Sequence, residues 1–249
     1  MREIFDWRCV MKYINARIAD KVNEYYTKGE VVATNFLDPS ELVEINSILT
    51  HVDNVPFGGY DNAERKVVII GVDKDFDDFS KFISVVRATS NAALSHRNVL
   101  GSVLGLGLKR EMIGDILIND NFCDIIVVKT VAEFLLNNLK SVGREKVNVT
   151  EVATTDIVPP VENSKEITAS VNSMRVDAIV SAGFGLPREK SAALVKGEMV
   201  KINFVVVKNA SKAVNVGDVI SVRGKGRIEI CSIGGNTKSG RTKVVLSRK

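Results

Sequence analysis

Long apolar runs are missing from this 249-residue sequence. No stretch approaches the roughly 18 consecutive apolar residues that a membrane span requires, so no membrane association is expected. The N-terminal segment MREIFDWRCVMKYINARIADK is broken by charges every few residues, unlike a secretory signal. Cysteine is scarce: Cys9, Cys123 and Cys231 lie far apart, without metal-like spacing. That pattern excludes a disulfide framework and implies buried or half-buried reduced thiols in a cytoplasmic protein. Two histidines, His51 and His96, cannot build a His-rich metal site.

Catalytic signatures are equally thin. No nucleophile has a recognisable base beside it, and no Cys/His cluster suggests zinc. The carboxylates of Asp73–Asp78 (DKDFDD) read as a solvated loop. The series Gly101, Gly105 and Gly107 matches neither the P-loop nor the dinucleotide fingerprint, and no strand immediately precedes it. Its spacing points to a helix face for close packing, or to close approach of an RNA backbone helped by Arg97, Lys109 and Arg110. His96, next to the cap residue Ser95, is placed to donate to a phosphate. The expectation is therefore no catalytic residue, no metal and no cofactor.

What is present is segregated charge. The formal net charge of +4 conceals a division. Residues 173–249 hold 15 Lys and Arg against 5 Asp and Glu, a net +10, whereas residues 1–172 hold 19 against 25, a net −6. A basic third beside an acidic two thirds is the electrostatic footprint of a polyanion partner.

Hydrophobic periodicity organises the chain into segments. Residues 3–27 carry Ile4, Val10, Met11, Ile14, Ile18, Val22 and Tyr25 at helical spacing, ended by Gly29. Asp38 and Pro39 open a second helix, Pro56–Tyr60 reads as a turn, and Lys66–Ile70 as a buried strand. Residues 76–155 then read strand (Phe82–Ala88), helix (Ser95 to about Gly107), and two strands (Asp115–Asn119, Asp124–Lys129). An amphipathic helix (Thr130–Val142, with Val131, Phe134, Leu135 and Leu139 inward) and a strand (Lys146–Val152) complete the series. That βαββαβ order is the ferredoxin-like arrangement. Residues 156–172, with two adjacent prolines, read as an extended connection, part strand and part linker. From Ser173 two short helices, Val176–Ala182 stopped by Gly183 and one opened by Pro187-Arg188 and ended by Gly197, accompany a small sheet. Its strands are Met199–Asn203 and Val219–Arg223. Gly224 and Gly226 around Lys225 serve either a plain hairpin or close approach to RNA.

Three spaced elements of this last segment carry a resemblance. They are Arg175-Val176-Asp177; then Pro187-Arg188, Ser191, Leu194-Val195, Gly197, Val200, Ile202 and Asn203; then Gly217-Asp218-Val219-Ile220. Over about 55 residues this resembles the S4-type RNA-binding domain, or αL motif, with Pro187 in place of the usual Ser and Ser191 in place of Ala. More widely, Gly58-Gly59-Tyr60, Ala63–Lys66, Ser95–Gly101, Gly105–Arg110, Gly114-Asp115-Ile116 and Val222–Arg227 are similar to the YlmH-like proteins of bacteria. The resemblance implies an α+β multidomain protein: an N-terminal α+β domain (1–75) with a helical region, a ferredoxin-like domain (76–155), a linker (156–172) and an S4-type domain with a basic tail (173–249). It further implies binding of structured rRNA or tRNA on the large ribosomal subunit carrying stalled peptidyl-tRNA, within ribosome-associated quality control. A monomer is expected. Arg175, Arg188, Lys190, Lys196, Lys201, Asn203, Arg223, Lys225 and Arg227 are the expected RNA contacts, with Asp177 holding Arg175 or a helix end. His96, Arg97, Lys109 and Arg110 are secondary candidates. The S4-type domain also accompanies pseudouridine synthases and rRNA methyltransferases, whose catalytic domains have no counterpart upstream here. An RNA-modifying role and a division-linked protein-interaction role are the competing readings.

Overall fold

The first helical pattern becomes α1, Trp7–Lys28, followed by Gly29 in a left-handed turn. Ile14 and Ile18 are buried, with Val22 and Tyr25 packed beside them; Ile4 lies outside the described residues, as do the side chains of Val10 and Met11. The structure, a computed structural model, describes residues 7–159, 164–237 and 240–249. It forms two compact units, residues 1–160 and 161–249.

In the first unit α1 is followed by β1 (Val32–Ala33), α2 (Pro39–Leu49), β2 (Asn54–Phe57) and β3 (Val67–Ile70). The start of α2 is held by a capping box: Asp38 accepts from the amides of Ser40 and Glu41, and the Glu41 carboxylate accepts from the Asp38 amide. Pro56 and Phe57 belong to β2, not to the expected turn, because they pair with Val68 and Val67; the turn begins at Gly58. The sheet order is β1-β3-β2, and β3 is buried on both faces. Val68 and Ile70 pack with Ile14, Ile18, Ile45 and Leu49, while Val67 and Ile69 join the core of the following segment. A continuous run of β-branched residues is what a strand covered on both sides needs.

That following segment holds β4 (Ile83–Thr89), α3 (His96–Gly105), β5 (Ile113–Ile118), β6 (Phe122–Val128), α4 (Lys129–Asn138), the small hairpin β7 (Ser141–Val142) and β8 (Glu145–Lys146), and β9 (Asn148–Val152). Its four-stranded sheet runs β5-β6-β4-β9 with every pair antiparallel, which is the ferredoxin-like order. Helix α4 stops short of the expected Val142, because Leu139 is extended and residues 141–146 turn back as a hairpin. Val131, Leu135 and Leu139 are buried as expected, but Phe134 is 43% exposed, one step off the inward stripe.

The second unit runs β10 (Lys165–Val171), α5 (Val176–Phe184), α6 (Arg188–Lys196), β11 (Val200–Ile202), β12 (Val205–Val206), β13 (Val219–Val222), β14 (Gly226–Asn236) and β15 (Thr242–Arg248). Six strands in the order β10-β15-β14-β13-β11-β12 replace the little sheet expected from sequence. Residues 165–171, assigned to the connection, pair along their whole length with β15. One face of the sheet packs Ile202, Ile220, Val222, Ile228, Ile230, Val244 and Leu246 against Val176, Ile179, Val180 and Val195 of the two helices.

Gly183 does not stop α5. The helix ends at Gly185, which takes the left-handed conformation (φ 63°). Gly183 is buried inside it, where a β-carbon would lie 2.6 Å from Cδ1 and 2.9 Å from Cγ2 of Ile228. Gly183→Ala should therefore destabilise this unit by about 1–3 kcal/mol through overpacking, measured as a lower midpoint in chemical denaturation. An unchanged midpoint would show that Ile228 yields freely.

Among the described residues no helix is long and apolar enough to cross a membrane. Cys123 is buried, and desolvation pushes its thiol up to about 12. Cys231 is exposed, contrary to the expectation of a buried or half-buried thiol, because it sits at a register shift of β14 between Ile230 and Ser232. The side chain of Cys9 lies outside the described residues.

Candidate nucleic-acid interface

The N-terminal ends of α5 and α6 are joined through one carboxylate. Asp177 lies in the first turn of α5 with only 5% of its side chain exposed. It accepts from Arg175 Nε and Nη2 at 3.1 and 3.0 Å, and from Arg188 Nε and Nη2 at 3.3 and 3.4 Å. Both arginine side chains stay about two-fifths exposed, at 38% and 41%. Asp177 thus holds Arg175, as expected, and Arg188 as well. Two forks on one carboxylate leave net positive charge and N–H groups facing outward, a geometry suited to phosphate oxygens. Pro187 is the cap residue of α6, and the buried Ser191 hydroxyl donates to its carbonyl at 3.2 Å. The two departures from the S4-type pattern therefore fit together at the helix start.

The remaining basic residues of α6 do not form a single face with Arg188. At 3.6 residues per turn, Lys190 points roughly 160° away from Arg188 and Lys196 roughly 80° away. Both are exposed. Arg188 and Lys196 flank one side, and Lys190 belongs to the other.

A second basic group lies on the sheet face opposite the helices. Lys201 pairs with Ser221, and Ser221 with Arg227. Arg227 and Lys249 exchange backbone hydrogen bonds at 3.2 and 3.0 Å. Directly paired residues share a face, so Lys201, Ser221, Arg227 and Lys249 form one row, while the alternate residues Ile202, Ile220 and Ile228 point to the core. Arg223 and Lys225 are exposed in the tight turn between β13 and β14. There Gly226 (φ 103°) passes so close to the chain end that a β-carbon would lie 2.5 Å from the Lys249 carbonyl oxygen. The two glycines around Lys225 therefore make a hairpin.

Asn203, expected among the RNA contacts, is exposed, and its side-chain amide makes hydrogen bonds within the chain. Its Nδ2 donates to Asp218 at 2.7 Å, and its Oδ1 accepts from the Val219 amide at 2.9 Å. It ties the β11–β12 turn to the Gly217-Asp218 turn. Sequence reasoning missed Phe204, the next residue, over whose ring Arg227 sits at 5.5 Å. No local signal marks it, because the turn is fixed by the pairing of Ile202 with Val205.

In the first unit the motif residues converge around Asp115. Its carboxylate accepts from the Tyr60 hydroxyl at 3.0 Å and from the amides of Glu64 and Arg65 at 2.7 and 3.2 Å. Arg65 reaches the carbonyls of Ile113 and Phe36 at 3.1 and 2.8 Å, and Arg110 donates to those of Ile113 and Gly114. Burial, then the neighbouring Arg65, lowers Arg110 to about 10. Arg110 therefore fastens β5 from within. His96 is also pushed below its ordinary value, by desolvation and by the Arg110 cation, which favours its neutral form. Arg97 and Lys109 are exposed. Nothing lies within 4 Å of a β-carbon built on Gly101, Gly105 or Gly107, so close packing inside the chain is not what these glycines serve. Among the described residues no group of three or more His, Cys, Asp or Glu is placed to hold a metal ion.

Three family models match successive parts of the chain: "YlmH, N-terminal" over residues 13–74, "Putative RNA-binding domain in YlmH" over 74–156, and "S4 domain" over 174–220. The last ends inside β13, so β10, β14 and β15 lie outside it. A Bacillus subtilis (strain 168) protein named "Ribosome-associated protein quality control protein P2" is 33% identical over 222 residues, covering 87% of this chain and 86% of that one. The solved "Cell division protein ylmH from Streptococcus pneumoniae" is similar with a TM-score of 0.50 and 20% identity, over 64% of this chain and 99% of that one. At that identity the likeness concerns the fold alone.

Proposed function

The chain belongs to the YlmH family, and on that premise we propose that it is a non-catalytic, cytoplasmic RNA-binding protein that recognises structured rRNA or tRNA on the large ribosomal subunit. The observation that carries this reading is the arginine pair on Asp177 within the segment matching the S4 domain. Arg175, Arg188 and Lys196 contact phosphates from the helix side, and Lys201, Arg223, Lys225 and Arg227 from the sheet and its turn. The helix side reads the RNA by shape, because an A-form groove hides base edges from side chains. The name of the Bacillus relative supports the ribosomal setting and, with it, a role in quality control of stalled peptidyl-tRNA.

The test is sucrose-gradient sedimentation of the tagged protein in a bacterial lysate beside the double variant Arg188→Glu/Lys196→Glu. Wild type is expected with large subunits and the variant at the top of the gradient. Wild type at the top would remove the ribosomal setting. If about five phosphates are contacted, binding to purified RNA should weaken with salt at a log–log slope on the order of −4; a slope near zero removes the phosphate contacts. Nucleosides from RNA incubated with the protein should be unaltered, and a modified nucleoside would restore the RNA-modifying alternative.

A further inference from the structure

The β11–β12 connection is a two-residue turn made of Asn203 and Phe204, because Ile202 pairs directly with Val205. Both turn residues have positive φ, 47° and 70°. A two-residue hairpin turn of that type favours Asn followed by Gly. Asn203 meets the preference; Phe204 does not. A bulky side chain in the left-handed region is strained, and strain of this kind marks positions where something other than stability is served. Core packing does not account for it: Phe204 is half-buried, and among the described residues it is not one of those packed on the core of this unit.

Phe204 lies instead under Arg227, in the basic row of the sheet face opposite the helices. Lys201 and Lys249 stand in that row, and Arg223 and Lys225 are in the adjoining turn. Acidic residues on this face are Glu229, two residues along β14 from Arg227 and paired with Val219 and Ser247, and Glu166, paired with Ser247 from β10. Partial burial also lowers the Arg227 pKa from its ordinary value, consistent with a cation held on a ring in place of water. An aromatic ring capped by a guanidinium and bordered by lysines is the surface on which an unpaired base stacks while its phosphates are neutralised.

We propose that the Phe204–Arg227 pair is a stacking platform for an unpaired nucleotide of the bound RNA, separate from the helix-side contacts at Asp177. It rests on the reading of the C-terminal unit as RNA-binding, and adds to recognition by shape a requirement for an extruded base.

The variant Phe204→Gly tests this with opposite signs in two readouts. Relief of the left-handed strain predicts a melting temperature equal to or above that of wild type. Loss of the ring predicts about tenfold weaker binding to an RNA hairpin with unpaired purines, by fluorescence anisotropy with the full chain. Binding to a blunt RNA duplex of equal length should be unchanged. Phe204→Tyr should keep the hairpin affinity, and Phe204→Asn, which tolerates the left-handed backbone, should lose it. If Phe204→Gly binds the hairpin as wild type does, or loses hairpin and duplex equally, the platform is overturned while RNA binding stands. If wild type binds neither RNA, the RNA-binding reading falls and the platform with it.

Discussion

Replacing Arg87 with methionine should lower the unfolding free energy of the first unit by about 3–5 kcal/mol, a large share of the stability of an ordinary domain. Arg87 on β4 stands directly opposite Asp124 on β6, the two central strands of the ferredoxin-like sheet. Its Nε and Nη2 donate to the two carboxylate oxygens at 2.7 and 2.8 Å, and Nη2 also reaches the Asp156 carbonyl at 2.8 Å. Asp124 is fully buried and Arg87 21% exposed, with the Phe122 ring 4.3 Å from the guanidinium carbon. The loss of attraction is the smaller part of the effect. The larger part is a carboxylate left in a site without water or a partner, which must either stay charged at high cost or take up a proton. Chemical denaturation should show a lower midpoint with an unchanged slope. A second variant separates the causes: Arg87→Met combined with Asp124→Leu removes the orphaned charge and should recover most of the loss. A single-variant cost below about 1 kcal/mol, the range of exposed pairs, would show that Asp124 reaches water.

Asp177→Asn should weaken RNA binding about tenfold, although it adds one positive charge to an already basic unit. Charge alone predicts the opposite, because removing a carboxylate beside two arginines strengthens their attraction for phosphate. Geometry decides in favour of weakening. In the native site four N–H groups from two side chains converge on the Asp177 carboxylate, so both guanidinium planes are oriented before RNA arrives. Without it, each long side chain must be ordered on binding, at about 0.5–1.5 kcal/mol apiece, and two of them amount to roughly one to two powers of ten in affinity. The measurement is an RNA titration across several salt concentrations. Positioning predicts weaker binding with the slope nearly retained, since the same phosphates are contacted in the end. Tighter binding would show that Asp177 serves only to hold the fold.

The motif-level reading of the chain succeeded where local chemistry decides the outcome. Asp38, Pro39 and Glu41 announce the start of α2, and Ser95 that of α3, because a cap is satisfied within a few residues of itself. Asp124 shows the limit of such reading. In sequence it opens a strand of apolar residues; that it is fully buried depends on Arg87, 37 positions earlier.

Misreadings arose where a residue's partner is remote. Gly183 was taken for a helix stop, when its role is contact with Ile228 on a strand 45 residues later. The prolines ahead of Lys165 suggested a connection, and nothing local shows that residues 165–171 pair with the last strand. Arg110 read as a secondary RNA contact, yet its Nη1 donates to the backbone carbonyls of Ile113 and Gly114 in β5. Phe204 drew no notice because its backbone conformation, which sets it apart, is not written in residue type.

Residue order by itself determined the segregation of charge, the βαββαβ series and the spacing of the S4-type elements, since each depends on periodicity or on contacts within a turn or two of chain. Only the tertiary structure decided which cations act together. Arg175 and Arg188 meet through Asp177, while Arg227 joins Lys201 and Phe204 on the opposite side of the same small unit. A charge's neighbours are set by strand register and helix phase, and one step in either moves a side chain to another face.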